Sequence, residues 1–181
     1  MRESTPGVPG VDFFCIRDRQ ESTQVSDKVN FDELLQAVRE TVDGTKADGR
    51  DAVLQSVCAL LADRVAHYDW VGFYLVDPDA DQALILGPYV GAPTEHTRIP
   101  FGKGICGQAA ATEATFIIQD VTQETNYLSC SPHVLSEIVV PVFKNGAIAG
   151  ELDIDSHVLA PFIDDDQAFL DAVCELVAPL L

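Results

Sequence analysis

The chain has 181 residues, enough for one domain with a sizeable core, and 47% of them are hydrophobic, as expected of a globular protein. Its formal net charge is -18, from 29 acidic and 11 basic residues, and a surface this negative repels nucleic acid and anionic lipid. No apolar run is long enough to span a bilayer, and the first ten residues lack the apolar core of a signal peptide. We therefore expect a cytoplasmic protein.

The N-terminal part of the sequence predicts an extension followed by two helices. Residues 1–28 are mostly polar, and we expect an irregular extension ahead of a single domain that spans residues 29–181. Apolar residues at helical spacing predict a helix over 31–42, with Asn30 as its N-cap. A second helix with a similar apolar stripe is predicted over about 51–66.

The central part of the sequence changes to the period of β-strands. The stretches "WVGFYLVD" and "QALILGPYVG" predict two strands joined by a turn, which together form a hairpin. A glycine-rich turn then leads into a predicted short helix from about Ile105 to Thr112. The stretch "TFIIQDV" predicts another short strand.

The C-terminal part predicts a second hairpin and a closing helix. Residues 136–156 read as two strands joined around Lys144, Asn145 and Gly146, and the Asn-Gly pair is a strong hairpin signal. A final helix is predicted from about Asp164. The order of elements indicates the α+β class, a central antiparallel sheet with helices covering one of its faces.

The chain has five cysteines, which are Cys15, Cys58, Cys106, Cys130 and Cys174. An odd number without a secretory signal argues against a disulfide framework, and the lack of a CxxC pair argues against a structural zinc site, so we predict no metal. Cys58 and Cys174 lie in apolar stretches with helical spacing and are predicted to be small buried hydrophobic residues.

Several stretches of the sequence form a specific combination. They are "DWVGFYL", "LGPYVG", "RIPFGKGICG", a cysteine seven residues before the glutamate of "SEIVVP", and "LDIDS". Together they resemble the GAF domain and, more narrowly, the free methionine-(R)-sulfoxide reductase family, over about residues 69–157. The resemblance implies a GAF-like fold with N- and C-terminal helices on one face of the sheet and a ligand pocket on the other.

The resemblance also implies a chemistry and a set of partners. In that family a cysteine thiolate attacks the sulfur of free methionine sulfoxide, methionine leaves, and the resulting sulfenic acid forms a disulfide that thioredoxin reduces. Carried over by position, the nucleophile is Cys130 and a second pocket cysteine is Cys106. No bound cofactor is implied beyond the external reductant, and the family resemblance implies a homodimer.

One position departs from the family pattern. The usual resolving cysteine lies two residues before the arginine of "RIP", and here that residue is His96, which cannot form a disulfide. Either Cys106 resolves, or an external thiol does, or Cys15 folds over from the extension, or reduction is inefficient. The alternative function is a non-catalytic GAF sensor that binds a small amino-acid-like ligand, or a redox sensor that reports through Cys130.

Three acidic residues are candidates for the pocket. Asp153 and Asp155 alternate along one predicted strand and therefore point to the same sheet face, and Glu137 begins the adjacent strand. Carboxylates in one cavity raise each other's pKa, so a protonated acid could deliver a proton to the sulfoxide oxygen. An ionised acid could hold the ammonium group of the substrate. The alternative is that these acids cap turns or face water.

The remaining candidates are aromatic, histidine and cysteine side chains. Trp70 and Tyr74 share a strand face, so Trp70 could pack against the S-methyl group, although ordinary core packing explains both. His96 could donate a hydrogen bond or lie on the rim. Cys106 lies among glycines, where backbone can approach a ligand, or where a small residue simply fills tight packing. His133 is close enough in sequence to Cys130 to lower the pKa of its thiol if the two side chains meet.

Overall fold

The computed structural model describes Met1, residues 29–128 and residues 131–181. The predicted extension, with Cys15, therefore lies outside the described residues except for Met1, and so does Cys130. The division of the chain at residue 28 stays a prediction. Within the described residues, no helix has both the length and the apolar character needed to cross a membrane.

The described residues contain four helices and six strands, and every element predicted from residue 31 onward is present. The helices are α1 (Phe31–Thr45), α2 (Arg50–Arg64), α3 (Gly104–Thr112) and α4 (Asp164–Val177). The strands are β1 (Trp70–Val76), β2 (Ala83–Val90), β3 (Arg98–Pro100), β4 (Phe116–Ile118), β5 (Ser136–Lys144) and β6 (Ala147–Ser156). Short 3-10 turns cover Lys46–Asp48, Val121–Gln123 and Ala178–Leu180. Asn30 caps α1 as predicted, since its Oδ1 accepts the amide of Glu33 at 3.3 Å.

The strands form one antiparallel sheet in the order β3-β2-β1-β6-β5-β4. The hairpin between β5 and β6 turns at Asn145 and Gly146, whose φ angles of 53° and 80° are both positive. Two consecutive positive φ angles are typical of a type I′ turn, which matches the twist of the strands it joins. Both predicted hairpins are therefore confirmed, and β6 becomes a central strand between β1 and β5.

Helices α2 and α4 pack on one face of the sheet, as predicted, and α1 packs against both of them. Alternate residues of the central strands point toward them, including Ile138 of β5 and Leu152 and Ile154 of β6, all with no exposed surface. Cys58 and Cys174 are 0% and 4% exposed within this core, which confirms that both are buried. A strand with an apolar face against helices has the other half of its side chains free for a different environment.

The opposite face of the sheet is covered by α3 and by the segment that follows β4. Gly107 lets α3 approach the end of β3 closely, because a Cβ at that residue would lie 2.4 Å from the carbonyl oxygen of Pro100. Ile105 and Cys106 on α3 are consequently buried against this face, at 2% and 5% exposure. The glycine pattern around Cys106 thus positions a thiol over the sheet.

Candidate functional site

Four carboxyl groups lie on the sheet face under α3. On β6, Glu151, Asp153 and Asp155 alternate with the residues that face the helices, and Glu137 of β5 lies opposite Asp155 in the strand register. Their exposures are 0%, 0%, 1% and 4% for Glu151, Asp153, Asp155 and Glu137. The prediction that Glu137, Asp153 and Asp155 share one space is confirmed, while the alternative that they face water is wrong.

The thiol of Cys106 contacts two of these carboxyl groups. Its Sγ lies 3.7 Å from Oε1 of Glu137 and 3.4 Å from Oδ2 of Asp153, both within donor distance for sulfur. A thiol carries one proton, so it donates to only one acceptor at a time. The thiol is therefore a shared and insufficient donor for the acids around it.

The acid cluster, which we define as Glu137, Glu151, Asp153 and Asp155, is short of hydrogen-bond donors. Among the described residues, neither oxygen of Glu151 or of Asp155 has a hydrogen-bond partner, and neither has Oδ1 of Asp153. No ion pair between described side chains involves any member of the cluster. An unpaired buried carboxylate lowers the stability of the fold by several kcal/mol. Such a group therefore takes up a proton or is paired with a ligand.

Burial and mutual repulsion shift the protonation of the acid cluster. Burial is the main cause that raises the pKa of Glu137 and Glu151 well above their ordinary range, and the charge of Asp153 adds to it. Burial likewise raises the pKa of Asp155 well above its ordinary range, with contributions from Asp153 and Asp69. Burial raises the pKa of Asp153 to about 7, although hydrogen bonds from Cys106 and Glu137 offset part of the effect. The cluster thus holds protons at neutral pH.

A network of hydrogen bonds fixes the segment that leads to residue 128 against the start of α3. Asn126 accepts the amide of Gly104 at 3.2 Å and donates to the carbonyl of Gly102 at 2.9 Å. Gln108 donates to the carbonyl of Asn126 at 3.2 Å. Leu128 packs directly on Gly104, where an added Cβ would lie 3.0 Å from its Cγ. The segment that ends at Leu128 is therefore anchored at Gly104, which lies two residues before Cys106 in the sequence.

Trp70 and Tyr74 lie on the same sheet face as the acid cluster, as predicted from their spacing. In the register of β1 against β6, Trp70 is opposite Asp155 and Tyr74 is opposite Glu151. The ring of Trp70 also covers Gly72, where a Cβ would lie 2.3 Å from it, and stacks on Tyr89 with 5.2 Å between centroids. Trp70 forms a wall beside the acids, and its contact with a substrate stays a prediction.

Tyr74 and His96 are held together through the backbone. The hydroxyl of Tyr74 donates to the carbonyl oxygen of His96 at 2.8 Å, and Tyr74 has no exposed surface. Its polar atom thereby orients the loop that carries His96, so the core-packing interpretation of Tyr74 fits. His96 itself is half-buried between β2 and β3. The role of its side chain toward a ligand stays a prediction.

The histidine near the predicted nucleophile is exposed. The His133 ring packs edge-on against the His157 ring, with 5.8 Å between their centroids, and Nδ1 of His157 lies 3.3 Å from Oδ1 of Asp69. Because Cys130 lies outside the described residues, the effect of His133 on its thiol stays a prediction.

Glu151 is the site residue that the sequence analysis did not identify. The signal was available, because Glu151 is two residues before Asp153 and four before Asp155 on the same predicted strand. The structure also brings one oxygen each of Glu137 and Asp153 and the Sγ of Cys106 within 4.8 Å of one another, a grouping that could hold a metal ion. The sequence analysis had predicted no metal.

Comparisons with known proteins give the relationships of the chain. The GAF domain family matches residues 49–181. GAF domain-containing protein A of Dictyostelium discoideum is 36% identical over 157 residues, covering 87% of this chain and 96% of that protein. Free methionine-R-sulfoxide reductase of Escherichia coli strain K12 is 40% identical over 129 residues, covering 71% and 74%. The structure of free methionine-R-sulfoxide reductase from Neisseria meningitidis in complex with its substrate superposes with a TM-score of 0.77 at 36% identity, covering 82% and 86%.

Proposed function

Because the chain belongs to the GAF domain family, and within it to the free methionine-R-sulfoxide reductases, we propose that it reduces free L-methionine-(R)-sulfoxide to methionine. The observation that carries this proposal is the acid cluster, a buried set of proton-holding carboxyl groups on the sheet face under α3. A sulfoxide oxygen leaves only when it is protonated. A purely structural core has no use for buried carboxyl oxygens that lack hydrogen-bond partners among the described residues, as those of Glu151 and Asp155 do.

The proposed reaction consumes one proton and one thiolate. The sulfur of Cys130 attacks the sulfoxide sulfur as a thiolate, since the thiolate is the reactive form. A carboxyl group transfers its proton to the sulfoxide oxygen, and a bond then forms between that oxygen and the Cys130 sulfur. The bonds from the substrate sulfur to the oxygen and to Cys130 break, so methionine leaves and Cys130 becomes a sulfenic acid. The electron pair that reduces the substrate comes from the cysteine sulfur, which is oxidised.

Two different tasks are assigned to the acid cluster. Glu137 and Asp153 face Cys106 and have raised pKa values, so one of them serves as the proton donor at neutral pH. An ionised member of the cluster holds the substrate ammonium group. That group supplies the cluster with a positive charge, because no described cationic side chain forms an ion pair with it. Trp70 lies beside Asp155 and offers its ring to the S-methyl group.

The contact of Leu128 with the start of α3 supports the assignment of Cys130, two residues later in the sequence, as the nucleophile. Leu128 packs on Gly104, the first residue of α3. Cys106 is in turn two residues from Gly104, in the first turn of α3. Cys106 therefore lies at the same end of α3 as Leu128, beside Glu137 and Asp153.

The resolving step has one internal candidate among the described residues. A thiol condenses with a sulfenic acid to give a disulfide and water. Cys106 serves this purpose because it lies beside the acids and the histidine at position 96 cannot. We further propose that a thioredoxin-like dithiol then reduces the disulfide, and that the reaction takes place in the cytoplasm, in a homodimer. If Cys106 resolves, Cys106→Ser loses turnover with thioredoxin as the reductant.

The proposal is tested by mixing the full chain with each epimer of free methionine sulfoxide and a small dithiol and measuring the methionine formed. We expect turnover of the R epimer alone. Cys130→Ser removes it, whereas Cys58→Ala keeps it, because Cys58 lies among the helices on the other sheet face. Binding of the R epimer without reduction of either epimer would instead identify a binding module of the sensor type.

A further inference from the structure

We propose that Cys106, Glu137 and Asp153 form a binding site for Zn²⁺, with the Cys106 sulfur and one oxygen from each acid as ligands. The site lies between the first turn of α3 and the two central strands β5 and β6. It is built entirely from described residues and does not depend on Cys130. Three protein ligands and one open position are typical of zinc sites that exchange their fourth ligand.

The distances between the ligand atoms match a tetrahedral site. Zn–S bonds of about 2.3 Å and Zn–O bonds of about 2.0–2.2 Å place sulfur and oxygen about 3.5–3.7 Å apart along a tetrahedral edge. The observed separations from Sγ of Cys106 are 3.4 Å to Asp153 and 3.7 Å to Glu137. All three atoms lie within 4.8 Å of one another, so small side-chain movements close the site around one ion.

An independent observation points to a cation at this position. Glu151 is fully buried next to the ligands, yet neither of its carboxylate oxygens has a hydrogen-bond partner among the described residues. Oδ1 of Asp153, the oxygen turned away from Cys106, has none either. A divalent cation held by Cys106, Glu137 and Asp153 supplies positive charge beside these oxygens, which the single thiol proton does not.

The donor set selects the kind of metal. A thiolate is a soft ligand that favours Zn²⁺ or Cd²⁺, whereas Mg²⁺ and Ca²⁺ prefer oxygen ligands alone. When Zn²⁺ binds, the Cys106 thiol and any protonated ligand carboxyl group release their protons to solvent, and the hydrogen bonds of the Cys106 sulfur to Glu137 and Asp153 are replaced by bonds to the ion. The ion would then occupy the space in which the proposed reaction needs its proton donor.

The site is tested by titrating reduced full-length protein with Zn²⁺ and with Co²⁺ at moderate salt, which screens the acidic surface. We expect one equivalent per chain and a thiolate-to-cobalt charge-transfer band. Cys106→Ser removes the band and weakens Zn²⁺ binding at least about tenfold, and Asp153→Asn weakens binding similarly but keeps the band. Cys174→Ala is the matched control, because Cys174 is buried on the helix side of the sheet, and it binds as the wild type does.

Two further measurements keep the result interpretable. Thermal unfolding with and without Zn²⁺ shows whether each variant is folded, and added Zn²⁺ raises the midpoint for the wild type more than for Cys106→Ala. Equal binding by wild type and Cys106→Ser, or a band lost in Cys130→Ser but kept in Cys106→Ser, would overturn the site. Turnover without Zn²⁺ binding refutes only this site, and Zn²⁺ binding without turnover refutes only the proposed function.

Discussion

The buried acid Asp166 and the acid cluster lie on opposite sides of the sheet, and burial has opposite outcomes for their pKa values. Asp166 of α4 is 1% exposed, about as buried as the acid cluster. Its oxygens accept the hydroxyl of Tyr68 at 2.8 Å and the amide of Ile163 at 2.9 Å, and Nε2 of His67 lies 3.2 Å away. Burial pushes the pKa of Asp166 up, yet hydrogen bonds from His67, Ile163 and Tyr68 together hold it below its ordinary range.

The difference shows that donors, rather than burial, decide what a buried acid does. Asp166 is surrounded by donors, stays ionised and ties α4 to the residues before β1. Asp153 has only the Cys106 thiol and a neighbouring acid, and its pKa is raised. The first arrangement stabilises the fold, whereas the second keeps a proton available and leaves room for a ligand.

The largest expected effect is on turnover. Asp153→Asn and Glu137→Gln keep the shape of the acid cluster but remove a transferable proton, so each lowers kcat/KM about 100- to 10,000-fold. Asp166→Asn keeps kcat/KM near that of the wild type because it is on the other face of the sheet. Steady-state assays with the R epimer measure this, and equal losses in the Asp153 and Asp166 variants would erase the distinction between the two sites.

The next largest effect is on stability, where the Asp166 variant loses stability and the Asp153 variant does not. Asp166→Asn replaces a charged acceptor of several hydrogen bonds and lowers the free energy of unfolding by about 1–3 kcal/mol. Asp153→Asn removes an acid that repels its neighbours, so at pH 8 the free energy of unfolding stays unchanged or rises. Urea unfolding at pH 8 compares the variants. A clear loss of stability in Asp153→Asn would mean that its carboxylate is paired in the folded protein.

The smallest effect is on the pH dependence of stability, because the acid cluster and Asp166 change the stability in different pH ranges. The pKa of Asp153 is raised from an ordinary 3.8 to about 7, so the folded state binds more protons than the unfolded state and stability falls as pH rises from about 4 through 7. The lowered pKa of Asp166 contributes stability that is present above about 3.8 and is lost as pH falls below it.

The matching variants assign each window to its site. Asp153→Asn flattens the decline between about pH 4 and 7, and Asp166→Asn flattens the loss of stability below about pH 4. Urea midpoints across this range give both slopes. A decline above pH 4 that is equally steep in wild type and Asp153→Asn would assign it to other groups.

The sequence carried most of the fold because each element has a local signal. The period of two in β1 and β2, the Asn-Gly turn and the cap at Asn30 depend only on neighbouring residues, and all appear as predicted. The helix α1 continues past its predicted end to Thr45, through Asp43 and Gly44. An isolated glycine near a helix end gives no certain boundary in sequence.

The site was only partly predictable because its key contacts join distant parts of the chain. The shared face of Asp153 and Asp155 follows from strand alternation, and the same rule extended by two residues would have included Glu151. The contact of Cys106 with Asp153 spans 47 residues and depends on how α3 rotates over the sheet, which composition does not specify. The link between Tyr68 and Asp166 spans 98 residues and has no local signal at all.

The most direct test of the central claim is to observe the proton itself. Infrared spectra of the full chain near neutral pH separate the carbonyl stretch of a protonated carboxyl group from the bands of ionised ones. We predict a protonated carboxyl band at about pH 7, far above the ordinary pKa of Asp or Glu, that loses intensity in the Asp153→Asn, Glu137→Gln double variant and keeps its intensity in Asp166→Asn. Complete ionisation of the wild-type carboxyl groups by about pH 5 would contradict the account.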